Sequence, residues 1–292
     1  FRMTIKEREL DLYSEKACLL SRAYYYANIT FIDEQIGRIF ATLREEGLDD
    51  NTLVLFTADH GDLMGDHGLW AKSFGFEGSL HIPMLAWWPG KIEAGMRCTD
   101  IVNLLDIFPT FLNAAGVVYG GNERYGVNLL NLLGQKQGSS RDISFSEIKN
   151  PPCYMLHVRS RKWKYMFYQN GGYEQLFNLE DDPHELKDLA DDKSYNAIKG
   201  ELRDAAIEWI KKFGDPDNVL DESGRLRVEP CTYKPADLKA PYGPRMDLDI
   251  PYDVRIPPWA LPEEKRPWFW KAVGGDWSKI IELVKNKNSK GC

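Results

Sequence analysis

The run Leu53-Val54-Leu55-Phe56-Thr57-Ala58-Asp59-His60-Gly61-Asp62-Leu63-Met64-Gly65-Asp66-His67-Gly68-Leu69-Trp70-Ala71-Lys72 decides the reading of this chain. Its first five residues form a short continuous apolar stretch, as expected of a strand buried on both faces of a parallel sheet. The polar residues follow at once: Asp59, His60, Asp62, Asp66 and His67, then Lys72. In open α/β sheets, ligands bind beyond the carboxyl ends of strands, so these groups stand where a site forms. Asp59 and His60 suit a divalent metal if the strand end turns them toward one point. Lys72 suits an anionic ester group and the charge that builds on a leaving oxygen. His67 suits a general acid or a group that orients a ligand. The same composition also suits a solvated turn, with Asp62 and Asp66 as caps.

Working outward, Tyr25, Ile29, Ile32, Ile36, Ile39 and Leu43 recur at steps of three and four, which predicts one long helix over 14–46 ended by Gly47. Ile82 to Trp88 is a second apolar run, closed by Pro89-Gly90. Residues 101–115 read as a helix in which Pro109 makes a kink or a new first turn. This order of helix, strand, loop, strand and helix is that of an α/β fold. Farther on, residues 154–159, 164–168 and 174–179 read as strands, with Asn170-Gly171-Gly172 as a hairpin turn. Residues 195–213 read as an amphipathic helix, giving a small antiparallel sheet with one helix. Beyond Gly214 the chain is rich in proline and aromatics and reads as an extended tail. There Trp259, Trp268, Trp270 and Trp277 would either stack on a sugar ring or anchor the tail.

The 292 residues carry a formal net charge of -7 with 28% charged side chains, which offers no basic surface for nucleic acid or anionic membrane. No apolar run approaches the roughly 20 residues of a membrane span. The opening Phe1-Arg2-Met3-Thr4 has neither an initiator Met nor a signal pattern and reads as a trimmed or processed start. The five cysteines, Cys18, Cys98, Cys153, Cys231 and Cys292, show no zinc-ligand spacing.

The segment from Thr57 to Gly90 resembles the second signature region of the sulfatases, in the alkaline phosphatase superfamily. The matching elements are Thr57-Ala58-Asp59-His60-Gly61, Lys72, Phe76-Glu77-Gly78, and His81-Ile82-Pro83 through Pro89-Gly90. Two later elements are also similar: Asp106 with Pro109-Thr110 and Ala114-Ala115-Gly116, and Leu176-Phe177-Asn178-Leu179 with Asp182-Pro183-His184-Glu185. The resemblance implies an alkaline-phosphatase-like mixed sheet flanked by helices, present in part, then a small antiparallel sheet with a helix. It divides the chain into 1–140 (main α/β part), 141–214 (small α+β subdomain) and 215–292 (the tail). Asp59 would be a metal ligand, His60 a second ligand or near neighbour, and Lys72 a contact to sulfate or phosphate. The metal would be Ca²⁺, or Mn²⁺ or Zn²⁺ if the protein is a phosphonate or phosphodiester hydrolase. The substrate would be a sulfate ester such as a sulfated sugar.

The family's nucleophile is a formylglycine made from the cysteine of C-x-P-S-R. Here Cys18-Leu19-Leu20-Ser21-Arg22 lacks the proline and falls inside the long helix, which makes it a plain helical cysteine. The formylglycine, two acidic metal ligands and an arginine would therefore belong to an N-terminal half that acts as this chain's partner, and the chain alone would be inactive. The alternatives are a phosphonate or phosphodiester hydrolase of the same superfamily, favoured by a histidine at position 60, and a non-catalytic remnant.

Overall fold

The computed structural model describes residues 15–72, 74–118, 126–134, 141–150 and 153–230, all within one compact unit. The tail tryptophans Trp259, Trp268, Trp270 and Trp277 lie outside the described residues.

Helix α1 (Glu15–Glu45) forms where its period requires. Gly47, at φ 66°, closes it, and the Leu48 N–H donates to Leu43 O at 2.9 Å. Cys18 lies within this helix. Its apolar face is largely uncovered, with Ile29, Ile32 and Ile39 all about half exposed or more. Links to the body include a Phe40–Trp87 edge contact and Arg22, which donates to Met64 O and pairs with Asp66.

Strands β1 (Val54–Thr57) and β2 (Met84–Trp87) form a two-stranded ribbon, in register Thr57↔Met84. The pairing is antiparallel, where the apolar run of β1 suggested a parallel neighbour. Phe56 and Leu85 are exposed, so the two-sided burial expected of β1 is not complete among the described residues. A continuous apolar run reports how much burial a strand tolerates and carries nothing about the direction of its partner.

Helix α2 (Glu77–Leu80) sits between the two strands in sequence. Helix α3 (Ile107–Ala114) holds Pro109 in its first turn, where a missing N–H costs no helical bond. Asp106, fully buried, accepts from the N–H groups of Asn103 and Val127 and pairs with Arg141. It thus completes a capping box with Asn103 on the single turn before α3 and fastens the chain that returns through the short helix α4 (Leu129–Gly134).

The second sheet is an antiparallel meander, β3 (Ile143–Asn150), β4 (Cys153–Ser160), β5 (Trp163–Tyr168) and β6 (Tyr173–Asn178). Strand β3 was not read from the sequence, although Ile143-Ser144-Phe145-Ser146 alternates as a half-buried strand does. Gly171 and Gly172, both at positive φ, make the hairpin turn. The period of two divides the side chains between two covered faces. Tyr154, Leu156, Val158, Tyr165, Phe167 and Leu176 form a core with Leu202, Ala206 and Ile210 of α5 (Asn196–Phe213). The opposite face sends Met166 and Phe177 against Leu63 and Phe76 of the segment that follows β1. The chain then forms α6 (Pro216–Val219), and Leu220 and Leu226 close onto the first core. None of the described helices is long and apolar enough to cross a membrane.

Candidate active site at the end of the ribbon

The segment after β1 is built around Leu63 and Asp62. Leu63 is fully buried in the second core and works as a plug. The Asp62 carboxylate accepts from the N–H groups of Met64 and Ala71, while Leu63 N–H donates to Ala71 O. Three non-glycine residues here take left-handed backbone: Met64, His67 and Ala71. Each is an unfavourable conformation that the surrounding bonds hold in place. The result is a closed loop that returns the chain, at Lys72, to the strand end where it began.

There three side chains meet. His60 Nδ1 lies 2.9 Å from Gly61 O. A carbonyl only accepts, so Nδ1 carries the proton and Nε2 presents a lone pair. Lys72 Nζ sits 2.6 Å from that Nε2. Asp59 Oδ2 lies 3.3 Å from it, and Asp59 Oδ1 accepts from the His60 N–H. Two lone-pair atoms this close repel unless a cation lies nearby, and here the Lys72 ammonium supplies that charge. Ligands about 2.0–2.2 Å from one ion and at right angles to each other stand about 3 Å apart, so Oδ2 and Nε2 are spaced to share a metal. The donors are one oxygen and one nitrogen, and no group of three or more His, Cys, Asp or Glu gathers among the described residues. These two residues therefore fit as part of a coordination sphere.

Gly61 fixes this geometry by close approach. Its N–H donates to Ser79 O at 2.8 Å, and a Cβ there would come within 2.1 Å of Gly78 O. Gly61→Ala is expected to force the two segments apart, at a cost of about 1–3 kcal/mol, and to weaken divalent-cation binding by displacing Asp59 and His60. Thermal denaturation and a cation titration check this; wild-type values in both would refute the close-approach argument.

His67 is placed elsewhere. Its ring stacks on Phe76 at 3.9 Å, and partial burial pulls its pKa below the ordinary histidine value, more than the nearby Glu185 and Asp66 raise it. A neutral ring packed on an aromatic is a structural element, and the acid role suggested for His67 gains no partner from this contact.

Sequence reasoning passed over a second set of groups. Lys164 of β5 has no exposed surface, and its Nζ lies 2.5 Å from Glu77 and 2.7 Å from Glu185. Glu185 takes left-handed backbone after the Asp182-Pro183 turn, which directs its carboxylate inward to accept the Glu77 N–H. Arg159 of β4 adds a contact to Glu77 at 3.3 Å. Burial would raise the Glu77 pKa, but the hydrogen bond from His81 and the charges of Lys164 and Arg159 outweigh it and hold the carboxyl well below its usual range. Beside them, buried His157 is pushed down to about 3 by burial and by Lys164, so its ring is neutral. Glu77 and Glu185 both lie in the motif-like elements of the sequence, which was the available signal.

Comparison with known proteins agrees with this architecture. Residues 4–117 match the family model described as Sulfatase, and residues 65–212 match N-sulphoglucosamine sulphohydrolase, C-terminal. The chain is 34% identical over 222 residues to an arylsulfatase of Clostridium perfringens, covering 75% of this chain and 46% of that protein. A phosphonate monoester hydrolase of Agrobacterium radiobacter superposes with a TM-score of 0.62 at 30% identity, over 68% of this chain and 43% of that one. A protein solved with its substrate D-glucosamine-2-N,6-O-disulfate superposes with a TM-score of 0.62 at 26% identity, over 66% of this chain and 41% of that one. The chain spans less than half the length of each of these relatives.

Proposed function

Because this chain belongs to the sulfatase family of the alkaline phosphatase superfamily, we propose that it supplies the metal- and ester-holding part of a sulfuric ester hydrolase. The observation that carries the proposal is the meeting of Asp59, His60 and Lys72 at one strand end, with His60 Nε2 within 3.3 Å of a carboxylate oxygen and 2.6 Å of an ammonium nitrogen.

In this reading Asp59 and His60 hold a divalent metal, which when bound supplies Lewis-acid neutralisation of the ester's charge. The Gly61 carbonyl keeps the His60 proton on Nδ1, so Nε2 remains a ligand. Lys72 moves from His60 to the anionic ester and offsets charge on the leaving oxygen. The Asp62 bonds and the Leu63 plug hold Lys72 in reach of the strand end. None of the five cysteines stands in C-x-P-S-R, so in this reading the family's formylglycine would have to be supplied by a nucleophile-bearing sulfatase segment other than these 292 residues. Apolar side chains exposed among the described residues would suit contact with such a segment: Ile29, Ile32 and Ile39 of α1, Phe56 and Leu85 of the ribbon, and Phe111 of α3. A sulfated sugar is the substrate class, in line with the disulfated glucosamine bound by the solved neighbour.

A second reading is a phosphonate monoester hydrolase. The nitrogen ligand at His60 favours it, because imidazole suits a transition metal such as Zn²⁺ better than Ca²⁺.

The test is turnover of 4-nitrophenyl sulfate and of a phenylphosphonate monoester. The chain alone is expected to release no product. Joined to a nucleophile-bearing sulfatase N-terminal half and supplied with Ca²⁺, it is expected to cleave the sulfate ester faster. Preference for the phosphonate with Mn²⁺ or Zn²⁺ selects the second reading, and turnover of neither ester by the joined protein leaves a non-catalytic remnant.

A further inference from the structure

The strand end that carries the site has little ladder to hold it. Pairing of β1 with β2 stops at Thr57↔Met84, and beyond it the Gly61 N–H donates to Ser79 O at 2.8 Å. The site therefore leans on α2, a single turn of four residues. A helix this short is marginal in water, so contacts outside it must fix it. Phe76, just before it, is buried in the second core, and Glu185 Oε2 accepts the Glu77 N–H at 2.7 Å. The Glu77 carboxylate is bound by Lys164 of β5 and Arg159 of β4. Lys164 also binds Glu185, which closes the cluster.

These bonds form one continuous path. It runs from Lys164 to Glu185, to the Glu77 N–H, through α2 to Ser79 O and Gly61, and from Gly61 O to His60 Nδ1 at 2.9 Å. Ser79 is buried, and a Cβ at Gly78 would meet Leu63 Cδ2 at 3.3 Å, so α2 has little room to shift against the loop. Buried ions are costly where apolar side chains would pack as well. What they add is direction. A carboxylate held by an ammonium accepts a given N–H in one geometry, which an apolar contact does not specify.

We propose that Lys164 and Glu185 are positioning residues for the metal-holding pair, Glu185 fixing α2 through the Glu77 N–H and α2 fixing His60 through Gly61. This rests on the reading of Asp59 and His60 as metal ligands.

The experiment is titration of Zn²⁺ into the full chain, followed by the His60 ring resonances, with amide exchange at Gly61 as a metal-free measure. Two paired variants separate position from stability. Lys164→Met with Glu185→Gln removes both charges and keeps an oxygen to accept the Glu77 N–H. Lys164→Met with Glu185→Leu removes both charges and the acceptor. The Leu pair is expected to bind Zn²⁺ about tenfold more weakly than wild type, as when a group that orients a metal ligand is lost. Its Gly61 amide should exchange faster, while the amides of α5 keep wild-type protection. The Gln pair is expected to stay within about threefold of wild type. A merely structural role would move both pairs alike. If the two pairs bind Zn²⁺ equally while Asp59→Ala weakens it, the positioning is wrong and the metal reading stands. If Zn²⁺ fails to bind the wild type, or binds Asp59→Ala equally well, the metal reading falls and the proposal with it.

Discussion

Lys164→Met is expected to lower the stability of this chain by about 3–5 kcal/mol, the cost of removing one partner from a buried ion pair. Lys164 is fully buried, and Glu185 is only 3% exposed. Without the ammonium, Glu185 keeps one backbone N–H donor and must either hold an uncompensated charge or take up a proton. Glu77 fares better, because Arg159 and His81 remain beside it. Lys164→Met combined with Glu185→Leu should therefore recover much of the loss, since replacing a buried pair by apolar groups is often neutral. Urea denaturation of the two variants checks this, and a single variant with an unchanged midpoint would contradict the account.

The same network predicts acid lability. The Glu77 pKa is depressed in the folded state. Its contribution to stability is complete above the unfolded carboxyl value of about 4.3 and drains away as pH falls from there through the folded value. The Lys164 variant should show a shallower acid transition, because the charge that helps hold Glu77 ionised is gone.

The second large effect is expected at Lys72. In the joined protein that cleaves 4-nitrophenyl sulfate, Lys72→Ala should reduce kcat by about 10²–10³-fold, as the loss of a group that stabilises charge in the transition state does. KM should rise less, because on the proposed reading the ester's charge would also be met by a metal held by Asp59 and His60. Folding should be nearly unaffected, since the Asp62 bonds to Met64 and Ala71 and the Leu63 plug do not involve the Lys72 side chain. Steady-state kinetics decides the matter: turnover within twofold of wild type removes Lys72 from the ester site.

Much of the site was legible in the sequence because it is local. Asp59, His60 and Lys72 fall within fourteen residues, and the loop between them is closed by bonds among its own members, so a short stretch carried the whole arrangement. Helix α1 was legible because a stripe at steps of three and four is a property of the sequence itself. Which surface covers that stripe is a property of another part of the structure, and the described residues leave it largely open.

Lys164 shows where reading along the chain stops. In Trp163-Lys164-Tyr165-Met166-Phe167 a lysine alternating with aromatics reads as the outward side of a strand. That side is buried because Leu63 and Phe76, about a hundred residues earlier, pack over it. Glu185, brought in from the opposite direction by a left-handed turn, completes its charge.

By itself the sequence determined what is set by neighbours in the chain: helix period, turn chemistry and a cluster of carboxylate, imidazole and ammonium groups at a strand end. Only the tertiary structure decided the antiparallel direction of the β1 pairing, the burial of Lys164 and the arrival of Glu185 beside it. Each of these depends on which distant surface arrives to exclude water, and that is settled by the packing of the whole.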